Sequence, residues 1–134
     1  MATYTSGGGV DIVLSASGNQ DDNQYKFVMV AETANQFLLA TGACGPAPIG
    51  VLQDDPESGN AGRIRVNGVT QVWVDAATAV AVGDFVSCGS DAAAVVSATA
   101  SGLYYGVALE AVSSGCELVS ILLQRGHIGA DNTP

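Results

Sequence analysis

The chain has 134 residues, of which 48% are apolar and only 13% charged, and its formal net charge at pH 7 is −9. This length predicts a single domain with a core of its own. The acidity argues against a DNA or RNA partner, because nucleic-acid binding relies on lysine and arginine to neutralise phosphates. It also disfavours an anionic membrane surface, and no apolar run approaches membrane-spanning length.

The cysteines indicate neither a disulfide bond nor a metal site. Cys44, Cys88 and Cys116 are widely spaced, odd in number and outside any CxxC pair, which predicts neither a zinc site nor a disulfide framework. The N-terminus lacks a basic region followed by an apolar core, so we expect no secretory signal. We therefore expect folding in a reducing cytoplasm.

The scarcity of charge leaves two interpretations of the surface. A monomer coated with uncharged polar side chains would fit the composition, and so would a subunit that buries surface against copies of itself. We favour the self-associating subunit.

Residues 1–23 are a polar leader rich in glycine and serine, interrupted by the apolar run Val10-Asp-Ile-Val-Leu14. This pattern predicts an isolated strand or an extended arm. The sequence leaves open whether the run pairs within its own chain or docks on a neighbour. Ile12, Val13 and Leu14 are accordingly candidate interface residues.

The next two elements are short. Tyr25 to Val30 alternates as a strand does, and Gln36 to Ala40 is predicted to be a second strand or, alternatively, a short helix. The two prolines and two glycines of residues 41–48 then favour an extended connection.

The central stretch, Ile49 to Val74, is predicted to be an antiparallel meander of three strands. Its first strand ends at the acidic turn Asp54 to Asn60, and the second is Arg63 to Val66. Asn67-Gly68 predicts a type I′ hairpin turn, because both residues accept positive φ values. The return strand would run from Val69 to Val74.

Further strands are predicted after the meander at Phe85-Val86, Ala92 to Ser97, Tyr104 to Ala111 and Glu117 to Leu123. Turn signals recur every 8–12 residues or so, a spacing typical of all-β folds. We predict a small antiparallel β-barrel or β-sandwich built from hairpins, with an extended N-terminal arm. Residues 1–23 would form the arm, 24–124 the domain and 125–134 a loose polar tail.

The last strand is apolar on both faces. Val119, Ile121 and Leu123 share one face, while Leu118 and Leu122 share the other. Such a strand in an antiparallel protein must be covered twice, either inside a sandwich or by another subunit. Leu118 and Leu122 are therefore candidate interface residues.

Signals of chemistry are weak. His127 is the only histidine and lies in the polar tail, and no nucleophile elbow, phosphate loop or dinucleotide motif is present. Asp54, Asp55 and Glu57 crowd oxygen ligands into one turn but lack the spacing of a calcium loop, so a solvated acidic turn is favoured. We expect no enzyme activity, no cofactor and no metal.

The motifs resemble, in order and spacing, those of the structural cement, or head decoration, proteins of tailed bacteriophages. The resemblance covers about residues 25–124. The motifs that carry it are Ile49-Gly-Val-Leu-Gln, a turn with proline and glycine, Arg65-Val-Asn-Gly-Val, Ala81-Val-Gly-Asp-Phe-Val, Tyr105-Gly-Val-Ala-Leu-Glu and Leu118-Val-Ser-Ile-Leu-Leu.

The resemblance implies a small β-barrel-like or sandwich domain that assembles, often as a homotrimer, on the outer surface of the phage head. Its partner would be the major capsid protein, whose neighbouring subunits it would clamp, so it would be part of the virion. The rival hypothesis is a small β-barrel ligand-binding module, with Trp73 and the tyrosines lining a pocket. A metal-dependent hydrolase fits worst, because metal sites of that kind use histidines.

Overall fold

The computed structural model describes residues 9–41, 47–75, 78–96, 102–113 and 115–128. These ranges hold nine β-strands and no helix, and hence no helix long and apolar enough to cross a membrane. The predicted all-β class is confirmed. The strands are β1 Val10–Ala16, β2 Phe27–Val30, β3 Gln36–Leu39, β4 Gly50–Leu52, β5 Ala61–Trp73, β6 Phe85–Cys88, β7 Ala94–Val96, β8 Gly102–Ala108 and β9 Leu118–Ile128.

The first five strands close into a ring. They pair in the order β1-β3-β2-β4-β5, and β1 also pairs with β5. All of these pairings are antiparallel except β1 with β3, which is parallel and departs from the expected construction from hairpins alone. The ring surrounds one apolar cluster. Its buried members are Ala16, Val28, Phe37, Leu52 and Ile64.

The remaining strands form a second sheet, in the order β5-β9-β8-β6-β7. A parallel bridge between Val74 and Ala94 brings β7 back to the end of β5, so this sheet also curls around a core. That larger core is filled by side chains from all five of these strands, from β2 and β4 of the first ring and from the connecting loops. Its buried members are Phe27, Ala40, Val51, Val72, Val74, Val80, Val86, Ala94, Ala108, Val112, Val119 and Ile121.

β5 belongs to both sheets. Its first half, Ala61 to Asn67, pairs with β1 and β4, and its second half, Gly68 to Trp73, pairs with β9. The predicted hairpin at Asn67-Gly68 is therefore wrong, because the chain runs straight through it. Gly68 does adopt a positive φ of 99°, as the local signal required. The partners of the two halves, which lie far away in sequence, decide that the strand continues.

The predicted strand at Gln36 to Ala40 is confirmed as β3, which excludes the helical alternative. The apolar run near the N-terminus pairs within its own chain: β1 lies between β3 and β5, and Ala16 is buried in the first core. At the other end of the chain, β9 continues past the expected Leu123 to Ile128, since β8 pairs with it as far as Gly102.

One ion pair attaches β1 to β5. Arg65 donates from Nε to Asp11 Oδ1 at 2.8 Å and from Nη2 to Asp11 Oδ2 at 3.2 Å, and its Nη1 donates to the carbonyl of Val69. Arg63 Nε lies 3.3 Å from the same carboxylate. The hydrogen bonds and charge of Arg65, helped by the charge of Arg63, outweigh desolvation and lower the pKa of Asp11.

A buried polar contact links the two halves of the molecule. The Gln53 side chain, just after β4, donates to Thr70 Oγ1 at 2.8 Å and to the Val51 carbonyl at 3.0 Å. Thr70 belongs to the second half of β5 and is fully buried. Because an unpaired buried amide would be costly, this contact favours one arrangement of the two sheets.

We predict that Asp11→Asn lowers the free energy of unfolding at pH 7 by about 1–2 kcal/mol, the scale of a hydrogen bond to a charged group. A carboxylate with a lowered pKa stabilises the fold above its unfolded pKa of about 4, and this contribution is lost as the pH falls through the folded pKa. Urea unfolding should therefore show the difference between Asp11→Asn and wild type shrinking toward pH 3. Glu32→Gln, the same charge change at an exposed site, is the control; an equal effect there would contradict the prediction.

Candidate interaction surface

The outward face of the second sheet carries an uncharged apolar row. Val69 pairs with Leu122, Leu122 with Val107, and Val107 with Phe85, so the four side chains cross β5, β9, β8 and β6 on one face. With strands about 4.8 Å apart, the row spans roughly 14 Å. Leu122 is 37% exposed and Phe85 40% exposed, whereas their neighbours Ile121 and Val86, which point inward, are fully buried. We call these four residues the apolar row.

Aromatic side chains extend the apolar row at one end. The rings of Phe85 and Tyr104 lie 4.4 Å apart between centroids, an attractive separation for an aromatic pair. Tyr104 pairs with Gly126 across β8 and β9, and its ring covers the glycine so closely that a Cβ at Gly126 would collide with it. Because Gly126 has no side chain, the Tyr104 ring has room to lie beside the apolar row.

The structure places the two candidate interface residues of β9 on one face of the strand, as the alternation predicted. Leu122 lies within the apolar row, and Leu118 lies on the same face, half-buried opposite Trp73. Between them, Ser120 is buried, and its Oγ donates to Glu110 Oε1 at 3.3 Å. The role of Leu118 and Leu122 in an interface remains a prediction.

The β1 candidates divide between the two faces of the first ring. Leu14 packs against the first core, and Ile12 pairs with the buried Ile64 but stays 37% exposed. Val13 shares the opposite face with Arg63 and is 64% exposed. Val13 is therefore the β1 candidate most available to a partner, and it lies on a different sheet from the apolar row.

A cleft of about 620 Å³ opens where β5 passes from the first ring to the second sheet. Arg125 lies at its edge, donates to the carbonyl of Pro48 and holds its guanidinium carbon 5.6 Å from the centre of the Tyr105 ring. Sequence analysis missed this site, because Arg125 fell in the segment expected to be a loose tail. The lining residues are Phe27, Pro48, Ile49, Gly50, Val66, Asn67, Tyr105, Leu122, Leu123, Gln124 and Arg125.

The acidic turn is held by its own backbone contacts. Asp54 accepts hydrogen bonds from the Arg63 amide at 3.1 and 3.3 Å, and the Asn60 amide donates to the Glu57 carbonyl. Within the described ranges, no three or more histidine, cysteine or acidic side chains are grouped as a metal site would require. Asp54 thus has a structural contact with the start of β5.

The residues considered for nucleophilic chemistry are not brought together by anything the structure describes. Cys88 is half-buried, with Sγ 3.2 Å from the Gly89 carbonyl, and Cys116 is exposed. Cys44 lies outside the described residues, as does the side chain of His127, whose backbone is part of β9.

Two cores filled by side chains and an outward apolar row define an all-β domain suited to contact with another macromolecule. The sequence profile of the phage cement protein family matches residues 19–123. The chain therefore belongs to the phage cement protein family. None of the curated proteins matches it.

The fold also occurs in a solved phage structure, the N-terminal base of the head fiber protein gp8.5 of bacteriophage phi29. The two share 21% identity with a TM-score of 0.65, over 87% of this chain and 94% of that one. At this identity the likeness concerns the fold. It shows that an all-β domain of this architecture occurs on a head fiber.

We predict that Leu122→Ser lowers the free energy of unfolding by less than about 1 kcal/mol, because its side chain is already partly in water. Ile121→Ala, on the next residue but facing the core, should cost about 2–5 kcal/mol through the cavity it leaves. Urea unfolding of both variants would measure the difference. Equal losses would mean that the apolar row is part of the fold's core and not a free surface.

Proposed function

We propose that this protein is a non-enzymatic decoration protein that binds the major capsid protein on the outer surface of a phage head and clamps neighbouring subunits. Membership of the phage cement family supports a role associated with the capsid. The observation that carries the proposal is the apolar row, four apolar side chains that lie side by side on the outward face of the second sheet in a protein of net charge −9. An exposed apolar stripe of this kind marks an interaction site.

The proposed clamp gains its strength from repetition. Each exposed side chain of the apolar row would contribute about 1–2 kcal/mol when covered, before the cost of association is subtracted. One such patch binds weakly. Several patches on one homo-oligomer, matched to a repeating lattice, bind tightly because every contact after the first is effectively intramolecular. We therefore propose a homo-oligomer, and a trimer by the family resemblance.

The proposed contacts lie on two faces of the protein, with the apolar row on one face and Val13 on the other. β1 lies against the first half of β5 and β9 against the second, so each candidate faces outward from its own sheet. A protein with two separate contact faces can touch two neighbours at once, which is what clamping requires. We assign the apolar row to the capsid shell and Val13 to a second contact.

The ligand-binding alternative has one observation in its favour. Tyr105 lines the cleft of about 620 Å³, a size common among ligand sites. Trp73, which the hypothesis also required, is not among the lining residues, and both cores are filled by buried side chains. We therefore keep decoration as the proposed function.

We predict that attachment to heads survives 1 M NaCl, because apolar contacts are not screened, whereas interactions between surface charges decay within about 3 Å at that ionic strength. Heads stripped of the protein by other means should remain assembled yet burst at lower temperature. Electron microscopy and thermal release of DNA, with and without added protein, would measure both effects. Release by salt alone would contradict this account of attachment.

Point variants test the two faces better than deletion of residues 1–23, since that deletion would remove β1 from the first ring. Leu122→Asp should abolish decoration, because a charge would be buried against the shell. Val13→Asp should weaken decoration or disrupt the proposed homo-oligomer, which sedimentation would detect. Val82→Asp, at a residue that is 68% exposed and belongs to neither the apolar row nor β1, is the control. Normal decoration and assembly by both test variants would refute the assignment.

A further inference from the structure

The cleft beside β5 combines one cationic group with apolar walls. Ile49, Val66 and Leu123 supply apolar surface, Asn67 and Gln124 supply amides, and Arg125 supplies the charge. Its volume of about 620 Å³ falls within the range of ligand-sized sites. A cleft that combines apolar walls with a few polar groups has the usual composition of a binding site.

Arg125 differs from the two arginines of β5. Arg63 and Arg65 both lie within ion-pair distance of Asp11, which neutralises part of their charge. Over the ranges that the structure describes, no carboxylate lies within 4.0 Å of Arg125, whose recorded contacts are the Pro48 carbonyl and the Tyr105 ring. A guanidinium has five N–H donors, so Arg125 retains donors for a further acceptor.

Those two contacts also orient Arg125. The bond to Pro48 and the cation–π contact with Tyr105 orient the planar guanidinium beside the cleft, which lowers the entropy lost when a ligand binds. A planar fork with spare donors matches the two oxygens of a carboxylate. The cleft therefore favours a carboxylate attached to an apolar body.

The cleft is continuous with the apolar row, since Leu122 belongs to both. A macromolecule that covers the row would reach the cleft as well. We propose that the cleft accepts a peptide segment of the capsid shell in which a glutamate or aspartate, flanked by apolar residues, pairs with Arg125. This inference rests on the proposed function and adds the chemistry of the partner segment.

The test uses the full 134-residue chain and two short peptides, acetyl-Leu-Glu-Leu-amide and acetyl-Leu-Gln-Leu-amide. In ¹⁵N NMR titrations, the glutamate peptide should shift the amide signals of Gly50, Asn67 and Leu123. It should bind about tenfold or more tightly than the glutamine peptide, the difference expected for a hydrogen bond to a charged group. Arg125→Gln should remove this preference.

Arg63→Gln is the matched control, because it makes the same charge change outside the cleft lining. It should leave the preference for glutamate intact. Sodium acetate at the same concentration should bind far more weakly than the glutamate peptide. Equal shifts with acetate, shifts located outside the cleft, or no shift at about 10 mM peptide, a concentration that would reveal even millimolar binding, would overturn the proposal.

Decoration assays separate this inference from the proposed function. If wild-type protein coats heads and Arg125→Gln does so less tightly than Arg63→Gln, both are supported. Equal coating by the two variants would overturn the role of the cleft and leave decoration intact. If the glutamate peptide binds the cleft but wild-type protein never coats heads, the proposed function fails while the carboxylate site stands.

Discussion

The fold depends on a single strand that serves two sheets. β5 provides the edge on which β1 and β4 close the first ring and the edge from which β9 starts the second sheet. The backbone N–H and C=O groups of its thirteen residues must therefore form hydrogen bonds with strands from both ends of the chain. Gly50 shows how closely β4 approaches β5, because a Cβ at that position would collide with the backbone carbonyl of Arg65.

Two polar contacts attach other strands to β5. The Asp11–Arg65 pair joins the first strand to β5, and the Gln53–Thr70 hydrogen bond joins the end of β4 to the second half of β5. Apolar packing would tolerate small shifts of one sheet against the other, whereas a buried amide must keep its partner. These contacts explain how a chain with so few charges can still specify one register.

The low number of charged residues also bears on function. A protein of the phage cement family needs surfaces that recognise a large partner, and here the second sheet turns an apolar row outward while its other face packs in the core. Arg125 adds a single cation beside that row, at the cleft formed where β5 changes sheets. β5 therefore accounts for both the fold and the cleft, because the strand that joins the two sheets also forms the cleft between them.

The sequence by itself determined what depends on local pattern. Alternation identified β2 and the two apolar faces of β9, because side chains alternate with a period of two in any strand. Recurring turn residues identified the all-β class, whereas for β3 the sequence left a short helix open. Local pattern failed at Asn67-Gly68, where a hairpin signal lies inside β5. It also could not show that Val69, Leu122, Val107 and Phe85 form one row, or that Arg125 reaches Pro48. Those features depend on the register between strands distant in sequence, which only tertiary pairing decides.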